Sequence, residues 1–99
     1  MIKDYESMVI LKPHLHQDEV EKVNEKLIAQ ITDIGGEYIK SDFWGKRQLA
    51  YPIDKTGDGY YIINYFRLES LQMKTIERSY NINENILRYI VVDRHENRR

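Results

Sequence analysis

The sequence has no cysteine among its 99 residues, and that absence excludes several kinds of chemistry. The chain cannot form a disulfide, bind a metal through thiolates, hold an iron–sulfur cluster or use a cysteine nucleophile. Proline and glycine are also scarce, at two and five residues, and no linker, repeat or low-complexity segment divides the chain. No apolar run approaches the ~20 residues that a membrane helix needs.

What remains is the composition of one globular domain, with 41% hydrophobic and 31% charged residues. This length permits one modest core and leaves no room for a catalytic domain beside a binding domain. We expect a single domain over residues 1–94 and a flexible tail at 95–99. Asp4 and Glu6 make the first residues unlike the basic start of a cleavable signal, so we expect the protein in the cytoplasm.

Charge is balanced overall and uneven along the chain. The formal net charge is −1, whereas a dedicated nucleic-acid binder is usually strongly basic. Residues 17–37 carry six acids and two bases, residues 38–67 five bases and three acids, and residues 86–99 four arginines and two acids. If the two basic segments share one face, that face is basic and the opposite face is acidic.

Hydrophobic periodicity predicts a strand and then a helix in the first third of the chain. Residues 5–11 are rich in strand formers and stop before Pro13, which cannot donate to a ladder. A stripe at helical spacing follows, formed by Val20, Val23, Leu27, Ile31 and Ile34. Such a stripe is typical of a helix that buries one face.

The ends of this helix carry their own signals. Asp18 with Glu21 resembles a capping box, and His16 or Gln17 are alternative starts. The glycine pair at residues 35–36 supplies a left-handed stop.

The middle of the chain predicts a β-hairpin. Residues 37–53 are long, β-branched and aromatic, and residues 60–66 give the strongest strand signal in the sequence. Between them, residues 56–59 have turn chemistry.

The last third predicts a second helix and a final strand. Ser70 is positioned to cap the helix, whose buried side is formed by Met73, Ile76 and Tyr80. Residues 81–85 read as a loop and 86–92 as a strand. The resulting order is that of an α+β, ferredoxin-like split βαβ sandwich (βαββαβ), a four-stranded antiparallel sheet with two helices on one face.

Alternation sorts the strand side chains between the helix-covered face and the other face of the sheet, here called the open face. Arginines avoid a core, so Arg88 and Arg94 are predicted on the open face, and Tyr89 and Val91 inside. The predicted open-face set of the preceding strand is Tyr61, Ile63 and Tyr65. Rings interleaved with guanidinium groups suit RNA, because bases stack on both and cations neutralise phosphates.

Motifs of catalysis are missing from the sequence. It has no Gly-rich phosphate loop, no Gly-x-Ser-x-Gly elbow and no His-Glu-x-x-His. His14 and His16 have metal-ligating side chains, but no other cluster completes a coordination set, so two polar loop residues are the favoured interpretation. Glu19, Glu21 and Glu25 fit a solvated helix face better than paired carboxylates. We therefore expect neither an enzyme nor a cofactor.

The run Trp44-Gly45-Lys46-Arg47 is unusual for the middle of a strand. Glycine there indicates a bulge or a close backbone approach. Two adjacent cations could reach a phosphate, and a twisted hairpin edge kept soluble by its charge accounts for the run equally well. The residues alone leave both interpretations open.

Three stretches of the chain resemble the bacterial small-subunit ribosomal protein S6 family. They are Tyr5-Glu6 with the apolar strand that follows, residues 44–53 (WGKRQLAYPI) and residues 83–89 (NENILRY). The resemblance runs from the first predicted strand to the last, and the middle stretch is long and specific. It implies a structural, non-enzymatic role in the small ribosomal subunit, with binding to the central domain of 16S rRNA together with ribosomal protein S18.

The same resemblance implies which regions make the contacts: the start of the first strand, the open face with its hairpin, and the last strand. On this chain those regions supply Lys3, Tyr5, Lys46, Arg47, Lys55, Tyr61, Arg88 and Arg94. The low net charge then indicates weak RNA binding by the chain alone, strengthened by a basic partner.

Two other classes of protein use the same fold. A small ligand-binding regulatory domain needs a pocket of glycines and small residues at a helix start, for which residues 81–85 are a poor match. A hydrolase of acylphosphatase type needs an anion-binding loop with an arginine, and residues 12–17 contain neither glycine nor arginine.

Overall fold

The computed structural model describes residues 1–53 and 56–94, with backbone alone for 48–53 and 56–57. The elements are β1 (Ile2–Leu11), α1 (Gln17–Asp33), β2 (Glu37–Ile53), β3 (Thr56–Glu69), α2 (Met73–Ile82) and β4 (Ile86–Asp93), with a 3₁₀ turn at Ser70–Gln72 before α2. The strands pair antiparallel in the order β2-β3-β1-β4. The predicted βαββαβ, ferredoxin-like fold is confirmed.

A hydrophobic core lies between one face of the sheet and both helices. The strands contribute Tyr5, Val9, Leu11, Ile62, Phe66 and Leu68, and the helices contribute Val20, Leu27, Ile31, Met73, Ile76 and Tyr80. Full burial of one such aliphatic or phenylalanine side chain stabilises the fold by about 1.5–3 kcal/mol. The stripes read from the sequence are therefore buried faces, and Val23 and Ile34 pack at the rim of the core.

The helix α1 begins at the alternative start rather than at the Asp18–Glu21 pair. The backbone of His16 is extended and precedes the first helical residue. Its N–H donates to Glu19 Oε1 at 2.8 Å, so Glu19 is the acid that caps the helix. Glycine ends the helix as predicted, since Gly35 has φ of +92°.

The turn predicted at residues 56–59 is wrong, because the structure places these residues in β3. Arg47 pairs with Gly59 across the hairpin, and residues 54–55 lie outside the described part of the chain. A Cβ on Gly59 would lie 2.7 Å from Ile10 Cγ2 and 2.8 Å from Leu11 O. Glycine is needed at this position because β1 approaches closely, not because the chain turns.

The start of α2 also differs from the prediction. Ser70 lies in the 3₁₀ turn, and the helix begins at Met73. The Ser70 N–H donates to Met1 O at 2.9 Å, which ties this turn to the start of β1. The helix then continues to Ile82, into the segment predicted as a loop.

A polar network lies inside the core, between α1 and the sheet. Asn64 Nδ2 donates to Asn24 Oδ1 at 2.8 Å, and Asn24 Nδ2 donates to Asn64 Oδ1 at 3.2 Å. Ser41 Oγ donates to Asn64 Oδ1 at 2.5 Å and lies 2.7 Å from the Tyr38 hydroxyl. Both asparagines are buried. Because the network joins α1, β2 and β3, it holds the edge strand β2 in register.

Neither helix in the described part of the chain is long and apolar enough to span a membrane. A single domain over residues 1–94 stays a prediction, and the tail predicted at 95–99 lies outside the described residues.

Candidate nucleic-acid interface

The helices leave the open face uncovered, and the strand register places its side chains in rows. One row runs from Asp42 through Ile63 and Met8 to Ile90. Tyr89 and Val91 pack on the core, as predicted, so the alternating residues of β4 face outward. Ile90 is 53% exposed, and the centre of the open face is therefore apolar.

Stacked rings and a guanidinium group lie at the hairpin end of the open face. The Trp44 and Tyr61 rings stack with centroids 6.4 Å apart and planes 14° from parallel. Arg47 Cζ lies 5.4 Å from the centre of the Trp44 ring, and Arg47 Nε donates to Trp44 O at 3.1 Å. Trp44 remains 44% exposed. This arrangement offers an aromatic surface and a positive charge at one place.

A β-bulge puts Trp44 in this position. Phe43 pairs with Ile62 and Gly45 pairs with Tyr61, so Trp44 is the extra residue between them. Gly45 has φ of +81°, and a Cβ there would meet nothing within 4 Å. The glycine therefore serves the left-handed backbone of the bulge, which confirms the predicted bulge and excludes a close backbone approach at this position.

Arg88 completes this end of the open face. Tyr61 and Arg88 both pair with Ile10, on its two sides, and therefore belong to one cross-strand row. Arg88 is exposed. Adjacent strands lie about 4.8 Å apart, so the backbone of Arg88 lies about 10 Å from that of Tyr61. We call Trp44, Tyr61, Arg47 and Arg88 the hairpin cluster.

At the opposite end of the open face, the two arginines are paired with acids. Arg67 Nε donates to Asp4 Oδ1 at 2.8 Å, and the hydrogen bond raises the pKa of Arg67 above its ordinary value. Arg94 Nε lies 2.8 Å from Glu6 Oε2. We call this region, with its paired Arg67 and Arg94, the ion-paired end.

Tyr65 sits within the ion-paired end and contacts both signs of charge. Lys40 Nζ and Arg94 Cζ lie 4.9 Å and 5.3 Å from its ring centre. Its hydroxyl donates to Asp42 Oδ2 at 3.3 Å. Burial, and then the Asp42 carboxylate, raise the pKa of Tyr65. Its ring and hydroxyl are thus already engaged by neighbours.

The open face is therefore not uniformly basic, which corrects the expectation drawn from charge along the chain. Asp4 and Glu6, from β1, share this face with the arginines of β3 and β4. The two basic segments, residues 38–67 and 86–99, do not include β1 and its acids. The cations of the hairpin cluster, Arg47 and Arg88, form no ion pair with any described residue.

The two adjacent cations predicted to act together lie on opposite sides of the hairpin. Lys46 pairs with Tyr60, and its Nζ lies 6.0 Å from the centre of that ring, which packs against the core. Arg47 lies over Trp44 on the open face. Successive residues of a strand face opposite ways, so one phosphate cannot be reached by both from the same side.

The remaining predicted contact residues are dispersed. Tyr5 is buried, with its ring centroid 5.7 Å from that of Phe66, so it has no face free for a base. Lys3 shares the helix side of β1 with Tyr5, and its Nζ lies 3.2 Å from Asp93 Oδ2. Lys55 lies outside the described residues. Of the predicted set, the structure groups Arg47, Tyr61 and Arg88, with Arg94 at the other end of the same face.

Two features of the face were missing from the set of contact residues. Trp44 is not among the predicted contact residues, although a ring beside a strand glycine indicates a bulged, exposed position. The acids of β1 alternate with buried Tyr5, so strand periodicity alone could have placed them on the open face. In the described residues, no three His, Asp or Glu side chains converge as a metal site requires.

The fold and the open face together define a ferredoxin-like sheet protein that presents stacked rings and guanidinium groups to solvent. The family model described as ribosomal protein S6 matches residues 4–93. The small ribosomal subunit protein bS6 of Thermoanaerobacter pseudethanolicus is 40% identical over 91 residues, covering 92% of this chain and 96% of that protein. The bS6 protein of Syntrophomonas wolfei is 38% identical over 96 residues, covering 96% and 99%.

Structural comparison agrees with the sequence comparison. The crystal structure of 30S ribosomal protein S6 from Thermotoga maritima matches with a TM-score of 0.90 and 29% identity, covering 97% of this chain and 91% of that one. The chain belongs to the ribosomal protein S6 family. It is a small-subunit ribosomal protein, a structural and non-enzymatic component of the cytoplasmic ribosome.

Proposed function

We propose that this protein binds the central domain of 16S rRNA cooperatively with ribosomal protein S18, and that the hairpin cluster is its principal RNA contact. The observation that carries the proposal is the Trp44–Tyr61 stack with Arg47 over it. A base that stacks on an exposed ring gains about 1–3 kcal/mol, and a guanidinium group beside the ring neutralises the adjoining phosphate.

The charge distribution supports weak binding by the protein alone. Among the described residues, Arg67 and Arg94 are engaged by acids, and Arg47 and Arg88 are the open-face arginines without an acid partner. Each phosphate contact to a single strand contributes about −0.7 to the slope of log K against log salt concentration. The two arginine contacts give a slope of about −1.4, which is small for a nucleic-acid complex.

A cationic partner compensates for this weakness. When the S18 protein is bound to this chain, its own phosphate contacts become intramolecular, and the effective concentration of the second contact rises steeply. Linkage then requires that RNA strengthen the protein–protein pair by the same factor. Cooperativity is thus the expected behaviour of a protein with a net charge of −1.

The test is isothermal titration of the protein, S18 and a central-domain rRNA fragment, mixed in every order. We expect the fragment to bind this protein weakly alone and far more tightly with S18 present. Arg88→Ala should lower the affinity of the ternary complex. Equal affinity of the fragment for the protein alone and for the mixture would refute the cooperative account.

A matched pair of single variants tests the face. Arg47→Gln and Lys46→Gln each remove one positive charge from adjacent positions of the same hairpin. At 0.1 M salt, one lost phosphate contact lowers affinity about fivefold by counterion release. We expect that loss for Arg47→Gln and less than a twofold change for Lys46→Gln. Equal losses would show that general charge, and not the open face, attracts the RNA.

A further inference from the structure

A cleft on the helix side of the molecule, remote from the open face, brings lysines and side-chain amides together. It lies between α1 and the loop that leads into β4, and it encloses about 230 Å³. Its lining includes Leu15, Val23, Lys22, Lys26, Asn83 and Asn85. Leu15 and Val23 pack on the core and form the floor of the cleft, with the polar side chains above it.

The lysines give the cleft a positive charge. Lys22 and Lys26 stand one helical turn apart, on the same side of α1. Neither forms an ion pair with a described residue. Glu19 also lines the cleft and keeps its negative charge, with its Oε1 accepting the hydrogen bond from His16 N, so the lining holds two ammonium groups against one carboxylate. Glu21 and Glu25 line a separate cleft beside β2.

The opposing loop is fixed through its oxygen atoms. Asn85 O accepts a hydrogen bond from Lys12 N at 3.0 Å, and Asn83 O accepts one from Ile86 N at 3.2 Å. Asn83 Oδ1 accepts a further bond from Asn85 N at 2.9 Å. The side-chain Nδ2 groups of both asparagines have no partner among the described residues. The loop therefore holds donor groups opposite the lysines.

We propose that this cleft binds phosphodiester groups of an RNA strand, as a second contact on the side of the protein opposite the hairpin cluster. The inference rests on the proposed function, because it assigns a further part of the same RNA. Ammonium groups one turn apart can meet successive phosphates of a strand, and the amide donors add hydrogen bonds to the non-bridging oxygens. A single inorganic phosphate fills only part of this volume.

The experiment is an NMR titration of the ¹⁵N-labelled full chain at 0.1 M salt. The probes are a short single-stranded RNA and, separately, inorganic phosphate. We expect RNA to shift the backbone amides of Val23, Asn83 and Asn85 in a saturable way, and inorganic phosphate to shift them only weakly. Saturation by phosphate without a response to RNA would identify a free-anion site and overturn the proposal.

Variants give the second readout. Lys22→Gln with Lys26→Gln removes both ammonium groups, and these side chains are exposed. Lys74→Gln with Arg78→Gln removes the same charge from exposed positions of α2. By counterion release at about fivefold per contact, RNA affinity should fall about 25-fold in the first pair and less than twofold in the second. Equal effects of the two pairs would overturn the proposal.

The two proposals fail separately. If Arg47→Gln with Arg88→Gln weakens RNA binding and the lysine pair does not, the cleft is refuted and the open-face proposal stands. If only the lysine pair weakens binding, the open-face proposal is refuted and the cleft stands.

Discussion

Removing the buried amide of Asn64 should destabilise the protein strongly. In Asn64→Ala, Asn24 Oδ1 loses its donor at 2.8 Å and Asn24 Nδ2 loses its acceptor at 3.2 Å. Asn24 Nδ2 keeps only its 3.3 Å hydrogen bond to Ser41 Oγ. A buried polar atom left without a partner costs about 1–3 kcal/mol. Asn24 lines the cleft beside β2, where a water can replace part of the lost bonding. We therefore expect a loss of about 2–4 kcal/mol.

Urea unfolding of Asn64→Ala, Asn24→Ala and the double variant measures this quantity. The two side chains bond each other, so the second substitution should cost much less than the first, with a coupling energy of at least about 1 kcal/mol. The control is Asn24→Leu with Asn64→Leu, which removes both partners together and should be nearly neutral.

A loss below about 0.5 kcal/mol in Asn64→Ala, or additive losses in the double variant, would refute the reasoning. Either result would mean that the asparagine pair is hydrated and contributes little to holding α1 on the sheet.

Three further predictions follow from the core and the sheet. Ile31→Ala should cost roughly 2–5 kcal/mol in denaturant unfolding, because this side chain is completely buried and its removal leaves a cavity. Gly59→Ala should cost about 1–3 kcal/mol or more, since the new methyl group meets the β1 backbone, and wild-type stability would contradict the observed approach. Burial raises the pKa of Tyr80 to about 12, from 10.0. The unfolded chain therefore loses this proton first, stability falls as the pH rises from 10 to 12, and Tyr80→Phe should make that fall shallower in unfolding measured against pH.

Burial imposes periodicity, and this is why the helices and central strands could be predicted. Val20, Leu27 and Ile31 recur at helical spacing because they share a buried face. The ends of the hairpin strands are harder to predict, since an Asp-Gly pair at residues 58–59 is locally typical of a turn. In the structure, the close approach of β1, which is far away in sequence, is what requires glycine at residue 59. Asn24 lies inside the apolar stripe, and no local sequence pattern indicates that its side chain hydrogen-bonds with Asn64.

The candidate site could be predicted in type but not in arrangement. Rings and arginines on one face follow from alternation, and Tyr61 and Arg88 were placed correctly. The pairing of Asp4 with Arg67 depends on the register of strands 63 residues apart, which no local pattern encodes. Adjacency in sequence predicts that Lys46 and Arg47 act together, but successive residues of a strand point to opposite faces. The bulge at Trp44 decides which of the two lies on the open face.

The open face also has a direction. Asp4 and Glu6 lie near the start of β1, and the row of Ile10, with Tyr61 and Arg88 beside it, lies near its end. At about 3.4 Å per residue, the step from Glu6 to Ile10 spans about 14 Å. Over that distance the open-face arginines change from acid-paired, in the ion-paired end, to unpaired with any described acid, in the hairpin cluster. A partner with fixed charges consequently meets a gradient rather than a patch. The electrostatic energy of the complex is lower in one orientation of the partner than in the reverse orientation. The sheet can therefore select the orientation of a partner as well as its identity.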